Sequence, residues 1–318
     1  MVRILSRNCP ATVRPAISRL VASTGARCLS VGYRLAPQNP FPAALLDVLI
    51  AYMSLLYPPC SSWHFSVPAS SIVLAGDSSG GALILALIQV LLATRRSQCT
   101  DAPTMQFHQQ TVTIPMPAGV AVVSPATDQA YSSLPSWYEN TTFDIFVGET
   151  ARTAANDYPP CEIWPVDPPR AHLYCETSML GHPLVSPAVA SDWQGSPPIW
   201  IAMGEERLAD AAKVLAQAAA KQGVQVQWEL YERMPHTWMT IWPRLWQSKR
   251  CMENWANAVG QLTRGKAKTK ATVYGIDSRA RDIDILKLVN HTPEEVEQLG
   301  RSKTRKLKPF TGETKANL

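Results

Sequence analysis

Residues 71–81 read Ser-Ile-Val-Leu-Ala-Gly-Asp-Ser-Ser-Gly-Gly, and this stretch decides the fold. Ser71–Ala75 is a short apolar run, the pattern of a strand buried on both faces. Gly76–Gly81 is a tight turn, and Ala82–Arg96 reads as a long apolar helix, buried in the core. Strand, glycine turn and helix are the setting that a G-x-S-x-G pattern needs, and Gly76-Asp77-Ser78-Ser79-Gly80 is such a pattern. A serine hydroxyl is a weak nucleophile and must be presented to a base. A sharp turn exposes Ser78 but crowds its neighbours, and the flanking glycines relieve that crowding. The helix N-terminus aims its amides at developing negative charge, which makes the Ser79 N–H an oxyanion donor. Asp77 is expected to hold the turn rather than to move protons.

Further segments follow on either side. Pro15–Ser23 has helical spacing of Ile17, Leu20 and Val21 and closes at Gly25. Cys28–Leu35 reads as a strand, Ala43–Leu56 as a helix, and Gly119–Val123, Ile199–Met203 and Val224–Leu230 as three more strands. Helix-like and strand-like segments thus alternate over residues 12–262, which predicts an α/β fold with a mainly parallel sheet flanked by helices. Ser97–Pro117 is expected to be a polar surface excursion. Tyr131–Pro198, rich in Pro and Trp, is too long for a plain connection and reads as a small cap.

Composition supports a packed chain. Of 318 residues, 46 % are apolar and 17 % charged, which excludes wholesale disorder. The longest apolar run, Ala82–Ala93, is shorter than a membrane helix requires. No export signal is visible in the first residues. Seven cysteines without a CxxC pair argue against structural zinc and against a disulfide framework. The net charge of +5 is uneven: from Arg264 onward the balance is +6, and the remainder carries −1. The basic pI therefore belongs to the tail, and no nucleic-acid partner is implied. The expected division is a globular domain over 1–263, with the cap at about 131–198, and a basic, largely disordered tail over 264–318. One or two short helices are expected within that tail, one of them starting at Thr292-Pro293-Glu294-Glu295. The run Arg301–Lys308 is expected to be solvated, with a weak membrane-surface contact as its alternative.

Beyond the serine turn, Tyr33-Arg34-Leu35-Ala36-Pro37-Gln38 followed by Phe41-Pro42-Ala43-Ala44 and Asp47 resembles the YRLAPE…FPAAxxD signature of the hormone-sensitive-lipase-like α/β-hydrolases. Gly76–Gly81 resembles that family's GDSAGG, with Ser79 in place of alanine. The likeness continues through Ser124-Pro125, His182–Pro187 and Met234-Pro235-His236, and its inserts resemble those of fungal members. It implies a serine carboxylic-ester hydrolase acting on small to medium apolar acyl esters. No cofactor and no metal are implied, and the expected partner is the ester itself. Arg34 and Asp47 are expected to make a structural contact.

In these hydrolases the triad runs Ser, acid, His along the chain. Only His236 and His291 lie late enough, and His236 follows a strand in a loop, as a base for Ser78 must. Gly204-Glu205-Glu206-Arg207-Leu208-Ala209-Asp210 resembles the family's D-x-L-x-D block, which puts Glu206 at the acid position and Asp210 at the supporting one. Glu205 and Asp210 are rivals for the acid, and Asp128 stands further off. A glutamate can orient an imidazole as an aspartate does.

The family also carries an HGGG-type motif before the YRLAP segment, whose amides complete the oxyanion hole. Met1–Arg27 contains one glycine, Gly25, and no such motif. The expectation is a chain truncated at its N-terminus, lacking the first strands of the sheet. The competing reading is a degenerate or ligand-binding hydrolase without turnover; losing one oxyanion donor costs on the order of 10²–10³ in rate. Intact triad candidates favour truncation. Cytoplasmic location is the default expectation.

Three weaker signals remain. Trp238, Trp242 and Trp246 recur every fourth residue and could wall an acyl pocket or simply pack in the core; Pro243 interrupts the spacing. Trp137, Tyr138, Phe143 and Phe146 are candidates for lid packing or substrate contact. The sequons at Asn140 and Asn290 are expected to be chance matches.

Overall fold

A parallel strand needs a hydrogen-bonded neighbour and two covered faces. The computed structural model describes residues 10–145 and 162–309. Along the chain run α1 (Pro10–Thr24), α2 (Ala43–Leu56), β1 (Val73–Asp77), α3 (Ser79–Gln98), the hairpin β2 (Thr104–Phe107) and β3 (Gln110–Thr113), β4 (Gly119–Val123) and α4 (Pro135–Glu139). After them come β5 (Ile199–Gly204), α5 (Ala209–Lys221), β6 (Val226–Tyr231), α6 (Trp238–Ile241), α7 (Trp246–Thr263), β7 (Lys270–Tyr274), β8 (Ala280–Ile283) and α8 (Pro293–Thr304). The main sheet has the order β1-β4-β5-β6-β7-β8. Its first five strands are parallel, with Val73 opposite Gly119, Val120 opposite Ile199, Ile199 opposite Val226 and Gln227 opposite Lys270. β8 is antiparallel to β7.

Side chains alternate across a strand, so each central strand feeds two cores. Val120, Val122, Ile199 and Ile201 face the core built with α2, α3 and α5. Ala121, Val123, Trp200 and Ala202 face the other, built with α6 and α7, where Trp200 and Trp255 stack at 6.0 Å. Both faces being covered, β4 and β5 are buried at every residue. This is the predicted mainly parallel α/β fold. α3 is 20 residues long and apolar enough to cross a membrane by length and composition, longer than the run from Ala82 to Ala93 suggested. Its most apolar stretch is 72 % buried, in the core between α2 and the sheet. Full burial of a leucine such as Leu85 or Leu87 contributes about 1.5–3 kcal/mol.

The structure differs from the sequence reading in three places. Cys28–Leu35 forms no strand; Leu29 and Leu35 are exposed while Val31 and Tyr33 lean on the core. An apolar alternation does not itself supply a ladder partner. Here the Arg34 N–H donates to Asp47 Oδ2 at 2.8 Å and the Arg34 guanidinium grips the same carboxylate. The contact between Arg34 and Asp47 is thus present, and it holds the Asp47 carboxyl below its usual range by hydrogen bonding. Within Ser97–Pro117, β2 and β3 form an antiparallel hairpin. His108 and Gln109 at its tip both have positive φ, the backbone a two-residue hairpin loop requires.

The third difference is the tail. Residues 270–274 pair with β6, and Ala271 and Val273 are buried, so this stretch is part of the sheet. α8 opens with a capping box in which Thr292 Oγ1 accepts from the Glu295 N–H and the Glu295 carboxylate accepts from the Thr292 N–H. Val296 is fully buried among Leu134, Val189 and Val214. A few apolar residues at the right register anchor a segment whose overall composition is basic. The last residues, 310–318, lie outside the described residues, as do Phe146 and the rest of 146–161 in the expected cap.

Candidate active site

Three of the parallel strands, β1, β5 and β6, bring their C-terminal ends to the same side of the sheet, where open α/β sheets bind their ligands. β1 ends at Ser78, β5 leads to Glu206, and β6 leads to His236. Ser78 has φ 52° and ψ −127°, backbone that L-residues avoid. The turn is fastened on both sides: the Ser78 N–H donates to the Val123 carbonyl at 3.0 Å, and its carbonyl accepts from Ala126 at 3.0 Å. Gly76 is required because a Cβ there would stand 2.7 Å from the Gly80 carbonyl carbon. Ser79 and Gly80 are buried in the first turn of α3, and Asp77 is buried beside them.

His236 Nε2 lies 2.7 Å from Ser78 Oγ, and His236 Nδ1 lies 2.8 Å from Glu206 Oε1. A carboxylate beside Nδ1 fixes the proton there, so Nε2 is left to accept from the Ser78 hydroxyl. Glu206 is completely buried. Its second oxygen, Oε2, accepts from Ser124 Oγ at 2.6 Å and from the Gly204 N–H at 3.3 Å. Ser124 Oγ in turn accepts from the Thr237 N–H at 3.1 Å. Burial alone would lower the His236 imidazole, but the charge and hydrogen bond of Glu206, then the charges of Asp144 and Asp77, more than reverse it. The imidazole therefore stands above its ordinary value.

The rivals for the acid are engaged elsewhere. Glu205 accepts from the Arg233 N–H at 2.8 Å. Asp210 takes the Ser136 N–H and the Lys213 ammonium, both at 2.8 Å, and so ties α5 to α4 without touching Ser78, His236 or Glu206. Asp128 accepts from the Ala130 and Ser132 amides, and burial pushes its carboxyl up. His291 faces Glu295 one turn into α8.

The tryptophan spacing does not make one wall. Trp238 is buried in α6 against Tyr231, Trp242 is 45 % exposed after that helix ends, and Trp246 opens α7. Trp137 is buried under the Arg207 guanidinium, whereas Tyr138 and Phe143 are exposed. The Asn140 amide donates to the Glu206 carbonyl at 3.0 Å, a structural role for the residue that carries the sequon. Ser124 and Asp144 went unassigned in the sequence reading. The signal the sequence offers for Ser124 is that it directly follows the apolar run Gly119–Val123, at the end of β4.

A half-buried hydroxyl on a strained turn, an imidazole on it and a buried carboxylate behind can together generate a nucleophile and hold the proton it gives up. Residues 7–240 match the family described as alpha/beta hydrolase fold. The chain is 32 % identical over 245 residues to an acetyl-hydrolase of Streptomyces hygroscopicus, covering 77 % of this chain and 68 % of that protein. It is 29 % identical over 231 residues to Lipase 2 of a Moraxella species, covering 69 % of this chain and 49 % of the lipase, about half its length. The crystal structure of an esterase from the bacterial hormone-sensitive lipase family is similar with a TM-score of 0.60 at 28 % identity, over 80 % of this chain and 72 % of that one.

Proposed function

The chain belongs to the alpha/beta hydrolase fold family, with esterases and lipases among its relatives, and from that premise we propose that it is a serine carboxylic-ester hydrolase working through Ser78, His236 and Glu206. The observation that carries this reading is the unbroken pair of hydrogen bonds, 2.7 Å from Ser78 to His236 and 2.8 Å from His236 to Glu206.

Ser78 Oγ attacks the ester carbonyl carbon while His236 Nε2 takes the hydroxyl proton. Glu206 holds the imidazole in the right tautomer and stabilises its charge. The Ser79 N–H, at the N-terminus of α3, donates to the tetrahedral oxyanion. Collapse breaks the ester C–O bond, and His236 returns the proton to the departing alkoxide. Water, deprotonated by His236, then attacks the acyl carbon; the bond to Ser78 Oγ breaks, His236 returns the proton to Ser78, and the carboxylic acid leaves. Gly76, Asp77 and Gly80 keep the turn, and Asp210 braces the loop that carries Glu206. Small to medium apolar acyl esters are the proposed substrates; the similarity to a protein named acetyl-hydrolase supports the small end of that range.

The test is labelling with a fluorophosphonate serine probe, run beside Ser78→Ala. Labelling of the native protein that vanishes in the variant is expected. A folded, monodisperse protein that takes no label would overturn the hydrolase reading and favour ligand binding without turnover.

A further inference from the structure

We propose that Asp144 is a positioning residue, a second carboxylate that holds the base loop and the acid loop together; this rests on the triad reading above. Asp144 Oδ2 accepts from the Arg207 backbone N–H at 2.7 Å, and Oδ1 accepts from the His236 backbone N–H at 3.3 Å. Arg207 is the residue after Glu206. One carboxylate, supplied by a third segment of chain, therefore grips the backbone of the base and of the residue next to the acid. Glu206 and His236 sit on separate loops after β5 and β6, which Glu205 and Ser124 also tie to one another, and their side-chain contact spans 2.8 Å. A slip of either loop by 1 Å would break it.

The clamp depends on a carboxylate in particular. Three N–H donors converge on its two oxygens, the Ile145 N–H joining that of His236 on Oδ1 at 2.6 Å. An amide offers one oxygen and one NH₂, so asparagine would set an N–H against an N–H. Charge adds to geometry. The acidic groups acting on His236 are Glu206 after β5, Asp77 at the end of β1 and Asp144, and each favours the imidazolium. The cationic groups on the neighbouring elements are Arg207, whose guanidinium lies 4.1 Å from the Trp137 ring centre, and Arg233, 5.6 Å from that of Phe143. Asp144 thus links the frame of the site to the readiness of its base.

The experiment is an NMR titration of the His236 imidazole in the native chain, in Asp144→Asn and in Asp144→Glu, with kcat and KM measured alongside. Asp144→Asn should lower the His236 midpoint by about half a pH unit or more. It should also reduce kcat about tenfold with KM little changed. Asp144→Glu keeps the charge and should restore much of the midpoint. Should Asp144→Asn fail to fold, Asp144→Ser, which keeps one acceptor and loses the charge, gives the same reading. An unchanged midpoint in the charge-removing variant, whatever its melting temperature, would overturn the proposal. The titration needs no turnover, so an inactive native protein would count against the hydrolase reading and not against this one.

Discussion

Gly204 and Met234 meet backbone to backbone: a Cβ on Gly204 would stand 2.2 Å from the Met234 carbonyl oxygen. The obstacle is main chain and cannot rotate aside. This approach lets the turn after β6 lie against the end of β5, and so brings His236 within reach of Glu206. Gly204→Ala should therefore destabilise the fold by about 2 kcal/mol or more and lower kcat, read from thermal unfolding and steady-state kinetics. Native values for both would refute this account of the contact.

Ser124 should matter to rate without touching substrate. Its hydroxyl donates to Glu206 Oε2 and accepts from Thr237, so Ser124→Ala leaves a buried carboxylate oxygen and a backbone N–H each short of a partner. The expected cost is about 1–3 kcal/mol of stability. Activity should drop roughly tenfold to a hundredfold, since a hydrogen bond to a charged group is worth about 1.5–3 kcal/mol. Unaltered kinetics in a folded variant would show that Gly204 alone suffices to orient Glu206.

The raised His236 midpoint predicts opposite pH trends for activity and stability. The base works only when neutral, so the acid limb of kcat/KM should lie above the free-histidine value of about 6.5. Stability from the same shift is fully present below the unfolded-state midpoint and is lost as pH rises through the folded one. Glu206→Gln removes the largest favourable partner and should pull the acid limb down. It should also cut kcat by up to about 10⁴, as losing the orienting carboxylate does. An acid limb below 6 in the native chain would contradict the electrostatics described.

Val296 tests whether the C-terminal segment belongs to the folded core. It is fully buried against Leu134, Val189 and Val214. Val296→Ala removes two methyl groups and leaves a cavity, at a cost of about 2 kcal/mol, visible as a lower melting temperature. A neutral result would mean that α8 contributes nothing to global stability.

Strong local signals made much of the fold legible. Ala43–Leu56 and Gly119–Val123 have the predicted bounds, because a helical stripe and a wholly apolar run leave few alternatives. Ser78, Glu206 and His236, the proposed triad, can be picked out of the sequence because each follows a strand in a recognisable block, and the three side chains are hydrogen-bonded in the structure. What escaped depends on partners far along the chain. Cys28–Leu35 has strand composition, yet its Arg34 amide is taken by Asp47. Lys270–Tyr274 buries only Ala271, Thr272 and Val273, too little apolar surface to register beside a run of lysines. Ser124 and Asp144 act by hydrogen bonds to residues 82 and 92 positions away, and no spacing rule encodes such pairs.

The backbone of Ser78, at φ 52° and ψ −127°, sets chemistry against thermodynamics. Glycine is at ease in that conformation, and every residue with a Cβ is not. Ser78→Gly should thus abolish turnover yet raise the unfolding free energy by about 1 kcal/mol, while Ser78→Ala, equally inactive, gains none of it. The difference between these two dead variants would measure what the fold forgoes, at one residue, to hold a nucleophile ready.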